Sequence, residues 1–157
     1  MQFPGYNTGN VILSEGDRFP FRILNLIQLQ DDAWYYVLQD INGLKHFMLA
    51  EYYENYGFKI GDEINCIIDR INCTGRIFLE PEHPLYKKGE IYTFVVLNSS
   101  RKDSENIMYV KEIFGNSIEV SVKNNNIIGI KEGYKVSCIV KNVKKGKPVL
   151  EIRSDYP

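Results

Sequence analysis

Apolar and polar residues alternate with a period of two through most of the chain, the spacing that places every second side chain on one face of a β-strand. Phe19, Phe21 and Ile23 follow Gly16-Asp17, and Tyr92, Phe94 and Val96 follow Gly89-Glu90 in the same way. Ile64, Cys66 and Ile68 follow Gly61 as Val136, Cys138 and Val140 follow Gly133. The pattern therefore occurs twice, and the segment from Gly16 to Pro84 lies over the one that begins at Gly89. In that alignment Trp34-Tyr35-Tyr36-Val37 falls on Ile107-Met108-Tyr109-Val110. Both fourth apolar runs then skip a position, to Ile71 and to Val143, which is the effect of a β-bulge on alternation. Gly75 with Phe78-Leu79-Glu80 closes the first copy, and Gly146 with Val149-Leu150-Glu151 closes the second. Turn-rich stretches, among them Gln30-Asp31-Asp32, Asn42-Gly43 and Asn98 to Ser104, separate the runs. Each copy thus predicts five short strands, with residues 1–84 and 85–157 as two units.

The one helical segment that the pattern predicts is Ala50 to Phe58, between the third and fourth strands of the first copy. Its counterpart, from Asn124-Asn125-Asn126 onward, is too rich in asparagine to predict a helix. Five strands with a helix between the third and fourth is the arrangement of the oligonucleotide/oligosaccharide-binding (OB) barrel, and the length of each copy suits it better than a smaller SH3-like barrel. The expected fold class is all-β: two tandem five-stranded OB-type barrels, with a short helix between the third and fourth strands of the first.

Lys59-Ile60-Gly61-Asp62-Glu63-Ile64, Asp69-Arg70-Ile71 and Gly75-Arg76-Ile77-Phe78-Leu79 resemble the end of the RNA-binding OB domain named after ribosomal protein S-one. In that family a Gly-Asp opens the fourth strand and a Gly-Arg-Ile-x-Leu run forms the fifth. The second copy carries the likeness more weakly, with Lys147-Pro148-Val149-Leu150 in place of the last run, and Lys45 stands where the third strand usually has glycine. The resemblance implies aromatic residues on the second and third strands that stack on unpaired bases. By position these are Tyr36 and His46, with Trp34 on the same face as Tyr36; in the second copy the second-strand match is Tyr109, and the third-strand match is Glu119, which cannot stack. Alternation alone also admits the opposite frame, with Tyr35 and Val37 outside; taking Val37 and Val110 as matched core residues selects Tyr36 as the outward one.

The formal net charge of −1 conceals an asymmetry, because residues 1–84 hold 6 Lys+Arg against 12 Asp+Glu and residues 85–157 hold 13 against 8. In the second copy Lys141, Lys144, Lys145 and Lys147 surround the loop between strands four and five, Arg101-Lys102 lies in the loop between strands one and two, and Lys111 follows Tyr109. OB folds use those two loops to flank a bound strand. Cations for phosphates beside flat apolar surfaces for bases form the footprint of single-stranded nucleic acid. Four such lysines would give log affinity against log salt a slope of about −3, a weak and salt-sensitive interaction. The expected function is a non-catalytic module for single-stranded RNA or DNA, RNA before DNA. The alternative is a protein-interaction module that presents its acidic first barrel.

Catalytic chemistry finds no support in the sequence. No Ser, Cys or Thr sits in a nucleophile motif, there is no Gly-rich phosphate loop, and the two histidines, His46 and His83, are scattered. Cys66, Cys73 and Cys138 are odd in number and form no Cys-x-x-Cys pair, so reduced, buried or half-buried thiols are expected in place of a disulfide or zinc site. No metal or cofactor is expected. Met1 to Ser14 lacks the basic start and apolar stretch of a signal peptide, and no run is long and apolar enough to span a membrane as a helix, which predicts a cytoplasmic protein without a membrane partner. Gly5 to Asn10 and Asp155-Tyr156-Pro157 read as boundaries, as of a piece of a larger polypeptide.

Overall fold

A computed structural model describes residues 11–122 and 130–153; Asn124 to Asn126 and the two boundary segments lie outside them. The chain divides into two compact units, Met1–Glu82 and His83–Pro157. In the first, β1 (Arg18–Gln28), β2 (Trp34–Gln39), β3 (Lys45–Leu49), β4 (Glu63–Ile71) and β5 (Ile77–Pro81) form one antiparallel sheet in the order β3-β2-β1-β4-β5. In the second, β6 (Ile91–Lys102), β7 (Glu105–Lys111), β8 (Ser117–Val122), β9 (Lys135–Lys144) and β10 (Lys147–Ile152) repeat that order as β10-β9-β6-β7-β8.

The long first strand of each unit belongs to both halves of its sheet. Arg18 to Arg22 pair with β4, and Arg22 to Gln28 pair with β2, with a bulge between Ile23 and Asn25 where one partner gives way to the other. β6 does the same, with β9 as partner up to Val95, β7 beyond, and a bulge between Val96 and Asn98. The bulges bend the strand, so the sheet curls until its outer strands, β3 and β5 or β8 and β10, become neighbours. Each unit is an OB-type barrel. The skipped beats of the fourth strands are bulges as well, between Ile68 and Arg70 and opposite the Val149/Leu150 step.

Burial follows the period of two. Phe21, Ile23, Leu38, Met48, Cys66, Ile68 and Leu79 fill the first barrel, with Tyr53 closing one side. Phe94, Val96, Met108, Val110, Ile118, Val120, Val136, Cys138, Val140 and Leu150 fill the second. Burial also pushes the Cys138 thiol up to about 12 and the Cys66 thiol higher still, so both stay protonated, whereas Cys73 is exposed on a turn, contrary to expectation.

Two local elements differ from the sequence reading. The helix expected over 50–58 is a 3-10 helix, Glu51–Tyr56, with no side-chain cap, a non-helical Tyr53 (φ −123°) and a left-handed Gly57 (φ 76°). A short segment with three tyrosines takes its shape from packing and not from helix propensity: Tyr56 meets both Tyr53 and Phe58 edge to face. The stretch Asn98 to Ser104 is strand as far as Lys102, and only Asp103-Ser104 turns, both with positive φ (50° and 66°). Lys145-Gly146 turns the last hairpin in the same way (52° and 77°). Two-residue turns of this hand match the twist of the strands they join.

Candidate nucleic-acid interface

The outer face of the first barrel follows from the frame of β2. Leu38 is wholly buried in the core, Tyr36 packs against that core and meets Phe58 edge-on at 5.8 Å, and the register partner of Tyr36 is the buried Met48. Residues directly opposite in an antiparallel pair share a face. His46, opposite Leu38, is therefore inward as well: its ring meets Phe21 at 6.1 Å, its Nε2 lies 2.6 Å from Asp40 Oδ2, and its side chain is 12% exposed. Asp40 Oδ1 accepts from the backbone N–H groups of Asn42 and Leu44, which ties the pair into the β2–β3 turn.

Tyr36 and His46 are thus not the outward stacking residues that the sequence reading assigned. The cause is a slip of one residue in matching the copies. Tyr36 faces Leu26 and Met48 where Met108 faces Ser99 and Val120, so Tyr36 corresponds to Met108, and Leu38, not Val37, corresponds to Val110. A one-residue shift exchanges the two faces of a strand. The odd residue sits in the first hairpin, where the paired Gln28 and Trp34 are six positions apart and their counterparts Arg101 and Asn106 are five. Trp34 shares the inward phase of Tyr36 but lies at the strand end and is half-exposed.

The outer face instead presents Tyr35, Val37 and Phe47. Tyr35 and Phe47 meet edge to face, with centroids 6.3 Å apart and planes at 75°. Phe47 is 43% exposed; Val37, between Asn25 and Phe47 in the pairing, is covered. The Tyr35 hydroxyl donates to Asp31 Oδ2 at 2.6 Å, while Asp31 Oδ1 accepts from the Ala33 N–H at 3.1 Å. The Tyr35 bond holds the Asp31 carboxyl below its usual range, and the same bond raises the Tyr35 phenol.

These residues line an open cleft of about 850 Å³. Its walls are Leu29 to Asp31 of the β1–β2 loop, Leu44 and the first three residues of β3, Lys45, His46 and Phe47, and Thr74 to Ile77 around the β4–β5 turn; His46 thus reaches the cleft although its ring packs on Phe21. A strand face between those two loops is where OB barrels take their ligands. Lys45 and Arg76 bring positive charge to the cleft, and Arg70 stands beside it: the guanidinium carbons of Arg70 and Arg76 lie 4.2 and 4.8 Å from the centre of the Phe78 ring. Cation–π contact holds such groups in place, and the Arg76 charge also acts on Tyr35 and Asp31 beside it. Three of the six cations of residues 1–84 thus gather at one end of a barrel whose net charge is negative. The sequence reading missed Tyr35, Phe47, Lys45, Arg70 and Arg76 as site residues. Two adjacent apolar positions, Val37-Leu38, were the signal for the other frame, since the larger one belongs in the core.

In the second barrel Tyr109 lies on the outer face, half-buried, opposite Glu119, and Lys111 is exposed on the same face. No aromatic residue stands where Phe47 does in the first barrel. Arg101 is exposed near the end of β6, and Lys102 pairs with Glu105. Lys144 and Lys147 are directly opposite each other, exposed, on either side of the exposed Lys145. Like charges in that position oppose the hairpin by a few tenths of a kcal/mol or more. Lys141 sits at the bulge with its Nζ 3.6 Å from the Glu151 carboxylate, an exposed ion pair. The β6–β9 pairing ends at Val95, well before Arg101, so no register relation joins Arg101 and Lys102 to the lysine hairpin.

No protein-family model and no curated protein matches the chain. Solved structures are similar to it at low identity. The p202 HIN1 domain in complex with 12-mer double-stranded DNA is 13% identical, with 98% of this chain and 97% of that one covered at a TM-score of 0.32. The tetrameric p202 HIN2 is 11% identical over 88% and 89% at 0.33, and a murine DNA-binding protein bound with double-stranded DNA is 12% identical over 86% and 93% at 0.30.

Proposed function

We propose that this chain is a non-catalytic module for single-stranded nucleic acid, RNA in preference to DNA, and that the outer cleft of the first barrel holds the bases. The observation that carries the reading is the aromatic pair Tyr35 and Phe47 on the strand face between two loops, with Lys45 and Arg76 at its edges. Flat surfaces at the centre and cations at the rim suit unpaired bases strung on phosphates, and each stacked base is worth about 1–3 kcal/mol. Gly75-Arg76-Ile77, part of the run that resembles the S-one type of RNA-binding domain, forms one wall of this cleft.

The second barrel adds phosphate contacts through Lys144, Lys145 and Lys147, with Lys141, Arg101, Lys102 and Lys111 as further cations and Tyr109 as a lone stacking surface. The test is fluorescence anisotropy with labelled nine-nucleotide single-stranded RNA and DNA at low and physiological salt. The wild type is expected to bind both, RNA more tightly, and the Tyr35→Ala/Phe47→Ala double variant to lose at least tenfold in affinity while its melting temperature stays within a few degrees. Undiminished binding by the double variant would contradict the cleft; no binding by the wild type would remove the function.

A further inference from the structure

We infer that Asp31 is the specificity-determining residue of this cleft and that it selects a guanine base stacked on Tyr35. The inference rests on the nucleic-acid reading of the cleft and deepens it. Asp31 stands in the cleft wall as an acceptor among cations, with the Tyr35 hydrogen bond and, more weakly, the charge of Arg76 lowering its pKa, so the cleft offers a negative group as well as positive ones. Asp31 is moreover held in position. Oδ2 accepts from the Tyr35 hydroxyl at 2.6 Å and Oδ1 from the Ala33 N–H at 3.1 Å, so the carboxylate is anchored by both oxygens at the tip of the ring that offers the stacking surface. A carboxylate has about four acceptor sites, and the bonds from Tyr35 and Ala33 take one on each oxygen, so acceptor capacity remains for a ligand that competes with the Asp31 N–H nearby.

An ionised carboxylate only accepts, so it distinguishes bases by how many donors they show side by side. Guanine presents N1–H and the N2 amino group next to each other on its Watson–Crick edge, a pair that fits the two oxygens at once. Cytosine and adenine each offer one amino group beside an acceptor nitrogen. Uracil offers one N–H between two carbonyl oxygens, both of which the carboxylate repels. Charge-assisted bidentate pairs are the strong ones, and their discrimination against a wrong base corresponds to roughly 5- to 150-fold. Asp31 is exposed, so solvent competition places the expected preference near the lower end of that span. An exposed carboxylate is charged throughout the neutral range, and the Tyr35 hydrogen bond favours that form further.

The experiment compares three labelled RNA nonamers on the full chain: all uridine, uridine with a central guanosine, and uridine with a central inosine, which keeps N1–H but lacks the N2 amino group. The wild type is expected to prefer guanosine over uridine by fivefold or more, with inosine between them. Asp31→Asn is expected to abolish the preference while binding the all-uridine nonamer as well as or better than the wild type, since it removes a repulsive charge. Tyr35→Phe keeps the stacking surface and removes the anchor of Oδ2, and should reduce the preference by less than Asp31→Asn does. Equal affinity of the wild type for the guanosine and uridine nonamers, or a preference that survives Asp31→Asn, would overturn the assignment and leave the cleft standing. Failure of all three nonamers to bind would overturn both.

Discussion

His83 joins a folding role to a pH effect of definite sign. Its Nδ1 accepts from the backbone N–H groups of Leu85 and Tyr86, and its ring lies 4.6 Å from Tyr86 and 5.4 Å from Phe114. Burial lowers its pKa to about 4, and a proton on Nδ1 would also break both backbone bonds. Unfolded histidine titrates near 6.5, so between these values the unfolded chain binds more protons than the folded one, and stability rises with pH. The contribution is complete above about pH 6.5 and is lost as pH falls toward 4, by roughly 3 kcal/mol. Urea midpoints measured from pH 7 to 4 should therefore fall for the wild type. His83→Asn keeps an acceptor for the two N–H groups but does not titrate, and should show a flatter profile; equal slopes would reject this account. Tyr35 and Tyr36 make a second contrast between adjacent residues. Tyr36→Ala should lower the unfolding free energy by about 2–4 kcal/mol, a core truncation, whereas Tyr35→Ala should leave stability nearly intact and weaken oligonucleotide binding.

At the scale of the element, the frame of β2 decides which side chains can meet a ligand. Leu38 and Val110 stand at equivalent inward positions, fully buried, while Val37 lies on the outer face. Leu38→Ala should cost about 2–5 kcal/mol and Val37→Ala distinctly less, as chemical denaturation of the two variants would show. Had Val37 been the core residue, that order would reverse. Strand periodicity and the bulges at the fourth strands were legible in the sequence because alternation toward a closed barrel is written into every second residue, and the repeat wrote it twice. The frame of one strand was not, since a single extra residue in the first hairpin shifts the alignment by one and exchanges inside for outside. Lys45 and Arg76 were visible as a departure from the S-one pattern and as part of it, but their convergence on Tyr35 and Phe47 depends on a curl of the sheet that no local pattern encodes. The short helix between β3 and β4 was legible in place and not in kind, because tertiary packing of three tyrosines overrides so short a segment.

For the whole molecule, charge divides the labour. The acidic first barrel gathers cations at one cleft, and the basic second barrel exposes them along a hairpin that pairs Lys144 with Lys147. Each hairpin lysine that meets a phosphate adds about 0.7 to the slope of log affinity against log salt, so Lys144→Glu/Lys145→Glu/Lys147→Glu should flatten that slope by about 2. An unchanged slope would confine binding to the first barrel. The most direct measurement is photo-crosslinking of the wild-type chain to a 4-thiouridine RNA nonamer, with the attachment sites mapped by mass spectrometry. Adducts on Tyr35, Phe47 and their cleft neighbours are expected. Adducts confined to Tyr109 and the Lys144–Lys147 hairpin, with none in the first barrel, would contradict the assignment of the base-binding face.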